Sequence, residues 1–230
     1  MNYLQLCQTL RRKCRVSGTG PVSVIGQNEE YARLVAFINE AWQEIQLARS
    51  NWAWMRASMS FPTVAGQGGY TPAQLLATAA GYADFGGWAL DTFRAYPTAT
   101  GLVGEQGLEP ISYDAWRDVY NFGANRTAQG APTCFAVMPD QGVALGMVPL
   151  AGYTVSADYY KMATALAADA DIPALPAQYH MAIVYKAMMF FGVSEAQAEI
   201  YDEGMSELKT MMSRITAQQQ PEMALGGAWA

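Results

Sequence analysis

Hydrophobic side chains recur at helical steps near the start of this chain, alternate one by one in its middle, and return to helical steps toward its end. A period of 3.6 makes a helix stripe and a period of two makes a strand face, so this order requires an α+β fold. Leu4, Leu6, Cys7 and Leu10 open a short first helix that Gly18, Gly20 and Pro21 end. From Asn28, a candidate cap, Tyr31, Leu34, Val35, Ile38, Ala41, Trp42 and Ile45 form one apolar stripe, and Glu29 and Glu30 suit the positive end of its dipole. The period becomes two at Met55, Ala57, Met59 and Phe61, which marks a strand. Gly81 to Tyr96, with Trp88 and Phe93, reads as one or two more strands, and Ser112 opens a short helix carrying Trp116, Val119 and Tyr120.

Thr133–Met138, a Pro139-Asp140-Gln141-Gly142 turn and Val143–Met147 spell a hairpin. Gly152–Tyr160, with Tyr153, Val155, Ala157 and Tyr159 on one face, is expected to extend it into an antiparallel meander. Ala177 to Phe191 is a nearly all-apolar helix that Gly192 is expected to stop. Ser194 and Gln197 then suggest a capping box for a last helix with a stripe of Ala198, Tyr201, Met205, Leu208, Met212 and Ile215. From Ala217 the Gly- and Gln-rich sequence reads as a flexible tail. Both ends must bury an apolar stripe, so the expected architecture is a helical bundle of N- and C-terminal segments with an inserted antiparallel β region. The expected parts are 1–56 (N-terminal helices), 57–168 (β-rich insert), 169–216 (C-terminal helices) and 217–230 (extended tail).

Charge and composition exclude several classes. With 14 basic and 20 acidic side chains the net charge is −6, which disfavours a surface that grips polyanions. The longest apolar run, Met181 to Phe191, is broken by Lys186 and is too short to span a bilayer, so no membrane partner is expected. The basic cluster Arg11, Arg12, Lys13 and Arg15 follows the apolar start, the reverse of a secretory signal, which points to synthesis in a cytoplasm. Cys7, Cys14 and Cys134 have no metal or redox spacing and read as buried free thiols.

The chemistry-bearing residues form no catalytic constellation, and no cofactor or metal site is expected. His180 is the one histidine and opens the most apolar helix, where a satisfied structural role is the ordinary reading. Gly18-Thr19-Gly20 and Gly66-Gln67-Gly68-Gly69 lack the strand-to-helix context and the Lys-Ser/Thr of a phosphate loop. The Gly-x-Ser-x-Gly elbow is absent. Asp169 with Asp171, and Asp202 with Glu203, read as solvated charge. The enzymatic alternative is a small hydrolase or nucleotide-handling enzyme using His180 with Asp169 or Asp171. A nucleic-acid-binding module built on Arg11 to Arg15 is opposed by the net charge. The 13 Met, 6 Trp, 13 Tyr and 8 Phe favour burial between protomers.

Several runs carry a resemblance: Met1-Asn2-Tyr3-Leu4-Gln5-Leu6-Cys7-Gln8, Phe37-Ile38-Asn39-Glu40-Ala41-Trp42-Gln43-Glu44-Ile45-Gln46, Asn51-Trp52-Ala53-Trp54-Met55-Arg56, Phe122-Gly123-Ala124-Asn125-Arg126-Thr127, Gly130-Ala131-Pro132-Thr133-Cys134-Phe135-Ala136 and Tyr179-His180-Met181-Ala182-Ile183-Val184-Tyr185-Lys186-Ala187. In this order they resemble the head-to-tail adaptor proteins of tailed bacteriophages over most of the chain. The resemblance implies a structural, non-enzymatic ring of twelve copies in the neck of a virion, made in the host cytoplasm. Such a ring sits below the portal protein, extends a channel through which double-stranded DNA passes without specific binding, and offers tail or nozzle proteins an attachment surface. On that basis Met223, Leu225 and Trp229 are candidate portal anchors in the tail. Glu195, Glu199, Asp202 and Glu203 are a candidate lumen or partner-facing acidic surface, and Arg11, Arg12, Lys13 and Arg15 a candidate protomer-interface cluster.

Overall fold

The computed structural model describes residues 1–219. In chain order its helices and strands are α1 (Tyr3–Lys13), α2 (Glu29–Leu47), β1 (Arg56–Pro62), β2 (Gly69–Tyr70), α3 (Pro72–Thr78), β3 (Phe85–Pro97), β4 (Gln106–Gly107), β5 (Glu109–Pro110), α4 (Tyr113–Val119), β6 (Gln129–Gly130), β7 (Cys134–Val137), β8 (Val143–Leu145), β9 (Val148–Pro149), β10 (Tyr153–Lys161), α5 (Met181–Ser194) and α6 (Ala198–Gln219). The fold is α+β, with mainly antiparallel strand pairs. It divides into two compact units: Met1–Met55 together with the chain from Ala163, and Arg56–Met162.

The first unit is organised around α5, whose only charged residue is Lys186 and which packs against α1, α2 and α6. Leu6 and Leu10 of α1, Leu34, Ile38 and Trp42 of α2, and Ile183, Val184 and Met188 of α5 are fully buried in one core. A reciprocal cap holds the start of α1: Gln5 N–H donates to Asn2 Oδ1 at 2.9 Å and Asn2 N–H donates to Gln5 Oε1 at 3.0 Å. Asn28 occupies the cap position of α2 without a side-chain cap bond, and Glu29 beside it has a φ of +47°, so the expected cap there is absent. The irregular segment after Ala163 is held by side chains of α2. Buried Gln46 donates to Thr164 O at 2.9 Å and accepts from Thr164 N–H at 3.0 Å, and Asn39 Oδ1 accepts from Leu166 N–H at 2.9 Å.

Four expectations for the C-terminal helices need correction. Gly192 does not end α5, which runs on to Ser194; its missing side chain admits the backbone of α6, because a Cβ there would lie 2.7 Å from the Tyr201 nitrogen. Ser194 ends α5 instead of capping α6, and its hydroxyl turns to Glu195. The buried line of α6 is Ile200, Gly204 and Ile215, with Leu208 and Met211 partly buried, whereas Met205 is exposed. The close approach of two helices at a glycine, not the largest side chains, selects that face. Residues 217–219, expected in the tail, complete the last turn of α6.

In the second unit β1, β10, β3 and β4 form an antiparallel sheet in that order, and β2, β8, β7 and β5 a smaller one in which β5 and β7 run parallel. Phe61, Phe93, Val155 and Ala157 from the first sheet and Phe135, Val143 and Leu145 from the second share one core, with the Phe93 and Phe135 rings stacked at 3.8 Å. The hairpin of β7 and β8 is present, and Gln141 N–H closes its turn on Met138 O at 2.9 Å. The meander is not: β10 leaves β8 and inserts between β1 and β3. Its nine residues find a seven-residue and a thirteen-residue partner there, while three-residue β8 offers too short an edge. β3 is one strand with a wide bulge, since Leu90 to Phe93 stand opposite Ala157 alone. Thr92 bridges the gap by donating to Ala89 O at 2.7 Å and accepting from Asp158 N–H at 2.8 Å.

Alanine in place of glycine in a helix interior normally stabilises by about 0.5–1 kcal/mol. At Gly204 a Cβ would meet Tyr185 O at 2.8 Å and Met188 Cβ at 3.0 Å. Gly204→Ala is therefore expected to destabilise by about 1–3 kcal/mol. Denaturant unfolding followed by far-UV circular dichroism checks this, and a stabilised variant would refute the close packing of α5 on α6.

Candidate functional site

The residue types that could carry chemistry are engaged in holding the chain together. His180 is buried at the start of α5. Its Nε2 lies 2.8 Å from Leu175 O, and since a carbonyl only accepts, Nε2 carries the proton. Nδ1 is then the acceptor for the Met1 nitrogen at 2.6 Å. Burial, the largest influence, pulls the His180 pKa below its ordinary value against hydrogen bonds that favour the charged ring. Both ring nitrogens are therefore hydrogen-bonded within the chain.

The two aspartates of the enzymatic alternative, Asp169 and Asp171, bond to the backbone. Asp169 Oδ1 accepts from Val24 N–H at 2.5 Å and from the Ser23 hydroxyl at 3.2 Å. Asp171 Oδ2 accepts from Ala167 and Ala168 N–H at 2.7 and 2.8 Å, and these bonds hold its pKa low. Cys7, Cys14 and Cys134 are buried and free, and burial pushes the Cys7 and Cys14 thiols up to about 12. Such thiols are inert at neutral pH.

The candidate charged surfaces are split by the fold. Arg11 donates to the carbonyls of Val16 and Gly18, bracing the turn after α1. Lys13 pairs with Glu203 at 3.0 Å, joining α1 to α6, and Arg33 of α2 pairs with Glu195. Glu195 follows the end of α5, so it is not on the helix that carries Glu199, Asp202 and Glu203. Arg12, Arg15, Glu199 and Asp202 are exposed. Arg12 donates to the Thr9 hydroxyl in its own helix, 3.1 Å away. Met223, Leu225 and Trp229 lie outside the described residues.

What the surface offers is contact area. An apolar groove of 330 Å³ runs between the end of α2 and the middle of α6, lined by Ile45, Leu47, Ala48, Leu208 and Met212, with the Lys186–Glu44 ion pair (2.6 Å) along it. A polar cleft of 460 Å³ crosses the solvent face of the larger sheet, where Arg56 pairs with Asp158 at 2.7 Å and Arg94 with Glu105 at 3.6 Å. Val64, Leu102, Val103 and Leu150 stand exposed on loops of the second unit. The sequence reading missed these loops, and the one signal for them was an apolar pair between glycines, Gly101-Leu102-Val103-Gly104. Among the described residues no group of His, Cys, Asp and Glu is arranged to hold a metal ion, and no helix is long and apolar enough to cross a membrane.

In this geometry the polar side chains that could carry chemistry are bonded within the chain, while apolar side chains stand exposed on loops. The family model described as SU10 adaptor protein matches residues 1–226, and the chain belongs to that family of phage head-to-tail adaptors. No curated protein matches the sequence.

A depressed histidine pKa makes stability depend on pH with a defined sign. The neutral ring is the folded form, so the contribution of His180 is complete above its unfolded pKa of about 6.5 and is lost as pH falls through the lower folded value. The thermal midpoint is expected to drop between pH 7.5 and 5, with a smaller drop in His180→Gln, whose amide does not titrate. Equal pH dependence in the two proteins would remove His180 from this account.

Proposed function

We propose that twelve copies of this chain form a closed ring in the virion neck, below the portal protein, where they extend the DNA channel and present a surface to tail or nozzle proteins. The observation that carries this reading is family membership over residues 1–226, nearly the whole chain. The engagement of His180, Asp169 and Asp171 by the chain itself supports adhesion over bond-breaking chemistry. Synthesis takes place in the host cytoplasm, and no cofactor takes part.

In this reading double-stranded DNA passes without specific binding. Glu199 and Asp202 project from α6 and, with Glu195 and Glu203 near them in sequence, face the lumen or a basic partner; carboxylates toward a channel repel phosphate and keep DNA from adhering. Of the basic cluster, Arg12 and Arg15 are the members free to reach a neighbouring protomer, since Arg11 and Lys13 are bonded within the chain. Met223, Leu225 and Trp229 anchor the ring to the portal, because large apolar side chains beyond the end of α6 are the residue types that concentrate binding energy.

Removal of residues 220–230 tests the anchor while leaving α6 and the bond from Tyr179 to Gln218 in place. Affinity for purified portal, measured by co-sedimentation and mass photometry, is expected to fall at least tenfold, or about 1.4 kcal/mol. Undiminished affinity would overturn the anchor, and a complex holding other than twelve copies would overturn the stoichiometry.

A further inference from the structure

Three loops converge at one end of the larger sheet in the second unit. The register pairs Pro62 with Thr154 and Tyr153 with Pro97, which places residues 63–68, 98–104 and 149–152 side by side. They are laced together by Thr63 N–H to Tyr153 O at 2.7 Å, Gly66 N–H to Pro149 O at 2.9 Å and Thr98 N–H to Gly152 O at 3.0 Å. From this fixed platform project Val64 (58% exposed), Leu102 (68%), Val103 (98%) and Leu150 (66%). None of the three loops contains a charged residue. Exposed apolar side chains held rigidly, without charge, match the core of an interface: docking would desolvate no ion and order no flexible segment.

The chain also carries a receptor of matching chemistry. The groove between α2 and α6 has a volume of 330 Å³, close to the lower bound of roughly 300 Å³ for ligand-sized clefts. Leu47 at its rim is 73% exposed, and its two charges, Lys186 and Glu44, neutralise each other at 2.6 Å. We propose that the Leu102–Val103 tip of one copy docks into the α2–α6 groove of the next copy. This rests on the ring reading and supplies its contact. A projection and a groove are different surfaces, so each copy gives one and receives one, and the series closes when the rotation between copies divides a full turn. Tip-to-tip contact would instead end at a pair. A lipid surface fits less well, because Arg94 of the adjoining strand β3 is paired with Glu105 and the chain is acidic overall.

Disulfide trapping in full-length chain assembled on portal tests the contact. With Val103→Cys and Met212→Cys in one chain, mild oxidation is expected to give a ladder of covalent multimers on a non-reducing gel. Either substitution alone is expected to give none, since the native thiols are buried. Dimers from Val103→Cys alone would mean tip-to-tip pairing. A fast-migrating monomer would mean contact within one chain, and a cross-link to portal or a tail protein would mean a different partner; each overturns the proposal. A ring of full mass without a ladder overturns the contact and leaves the ring reading standing, whereas failure to multimerise at all sinks both. As an independent check, Val103→Asp should reduce ring formation at least tenfold with an unchanged thermal midpoint, because Val103 is almost fully solvent-exposed. Ring formation at the native level would refute the tip as the contact.

Discussion

Helix α5 has no side to offer to water. Apart from Lys186 and two serine or tyrosine hydroxyls its fourteen residues are apolar, and a helix of that composition must be covered along most of its length, with Val193 near its end left exposed. The covering helices come from both directions along the chain: α1 and α2 from before the strands, α6 from after them. Closure of this core therefore requires the chain to leave after α2 and return before α5, and the Gln46–Thr164 pair of hydrogen bonds holds the return. The magnitudes favour the apolar contacts as the stabilising element. Each fully buried Ile, Val, Met or Phe of α5 is worth about 1.5–3 kcal/mol relative to exposure, whereas partly exposed pairs such as Lys13–Glu203 contribute about 1 kcal/mol or less. The ion pairs select which helix faces meet; the core supplies the stability.

Much of that arrangement was legible in the sequence because periodicity reports which side of an element is buried. It does not report the partner. Val155, Ala157 and Tyr159 identify the buried face of β10, but whether β8 or β3 lies beside it depends on strand lengths and on the bulge. The bulge also explains why β3 resisted reading: Trp88 and Ala95 both face the core across an odd separation, which unbroken alternation cannot produce. Glycine misleads for a related reason. Gly192 resembles a helix stop and Gly204 adds nothing to an apolar stripe, yet both mark where α6 comes closest to α5. A method that weighs side chains by size overlooks contacts made by their absence.

The same distinction governs the candidate site. Residue types suggested a structural role for His180, and in the fold both of its ring nitrogens are hydrogen-bonded within the chain. They did not tell that Asp169 answers Val24, 145 residues away, or that Lys13 answers Glu203, because such pairings exist only after folding. The charged surfaces were consequently drawn too large. The apolar tip at Leu102 and Val103 was hard to read for the opposite reason: flanking glycines mark the pair, but two apolar residues in a loop have no period, and their exposure distinguishes them from residues that fold inward.

A ring of the proposed kind, holding proteins together around a moving polyanion, would face two demands that one surface cannot meet. Adhesion between subunits requires area that water leaves readily, and passage of DNA requires area that phosphate avoids. Basic side chains serve neither demand well, since they are costly to bury unpaired and attract phosphate when exposed. Here several are tied internally: Arg11 to carbonyls, Lys13, Arg33, Arg56, Lys161 and Lys186 to carboxylates. Among the described residues those bonds leave apolar loops and a groove uncovered and carboxylates such as Glu199 and Asp202 exposed, the two kinds of surface that the proposed ring would need. In the proposed ring the two roles would answer differently to salt: repulsion of DNA would weaken as ionic strength rises, while contacts between uncharged loops and a neutralised groove would not.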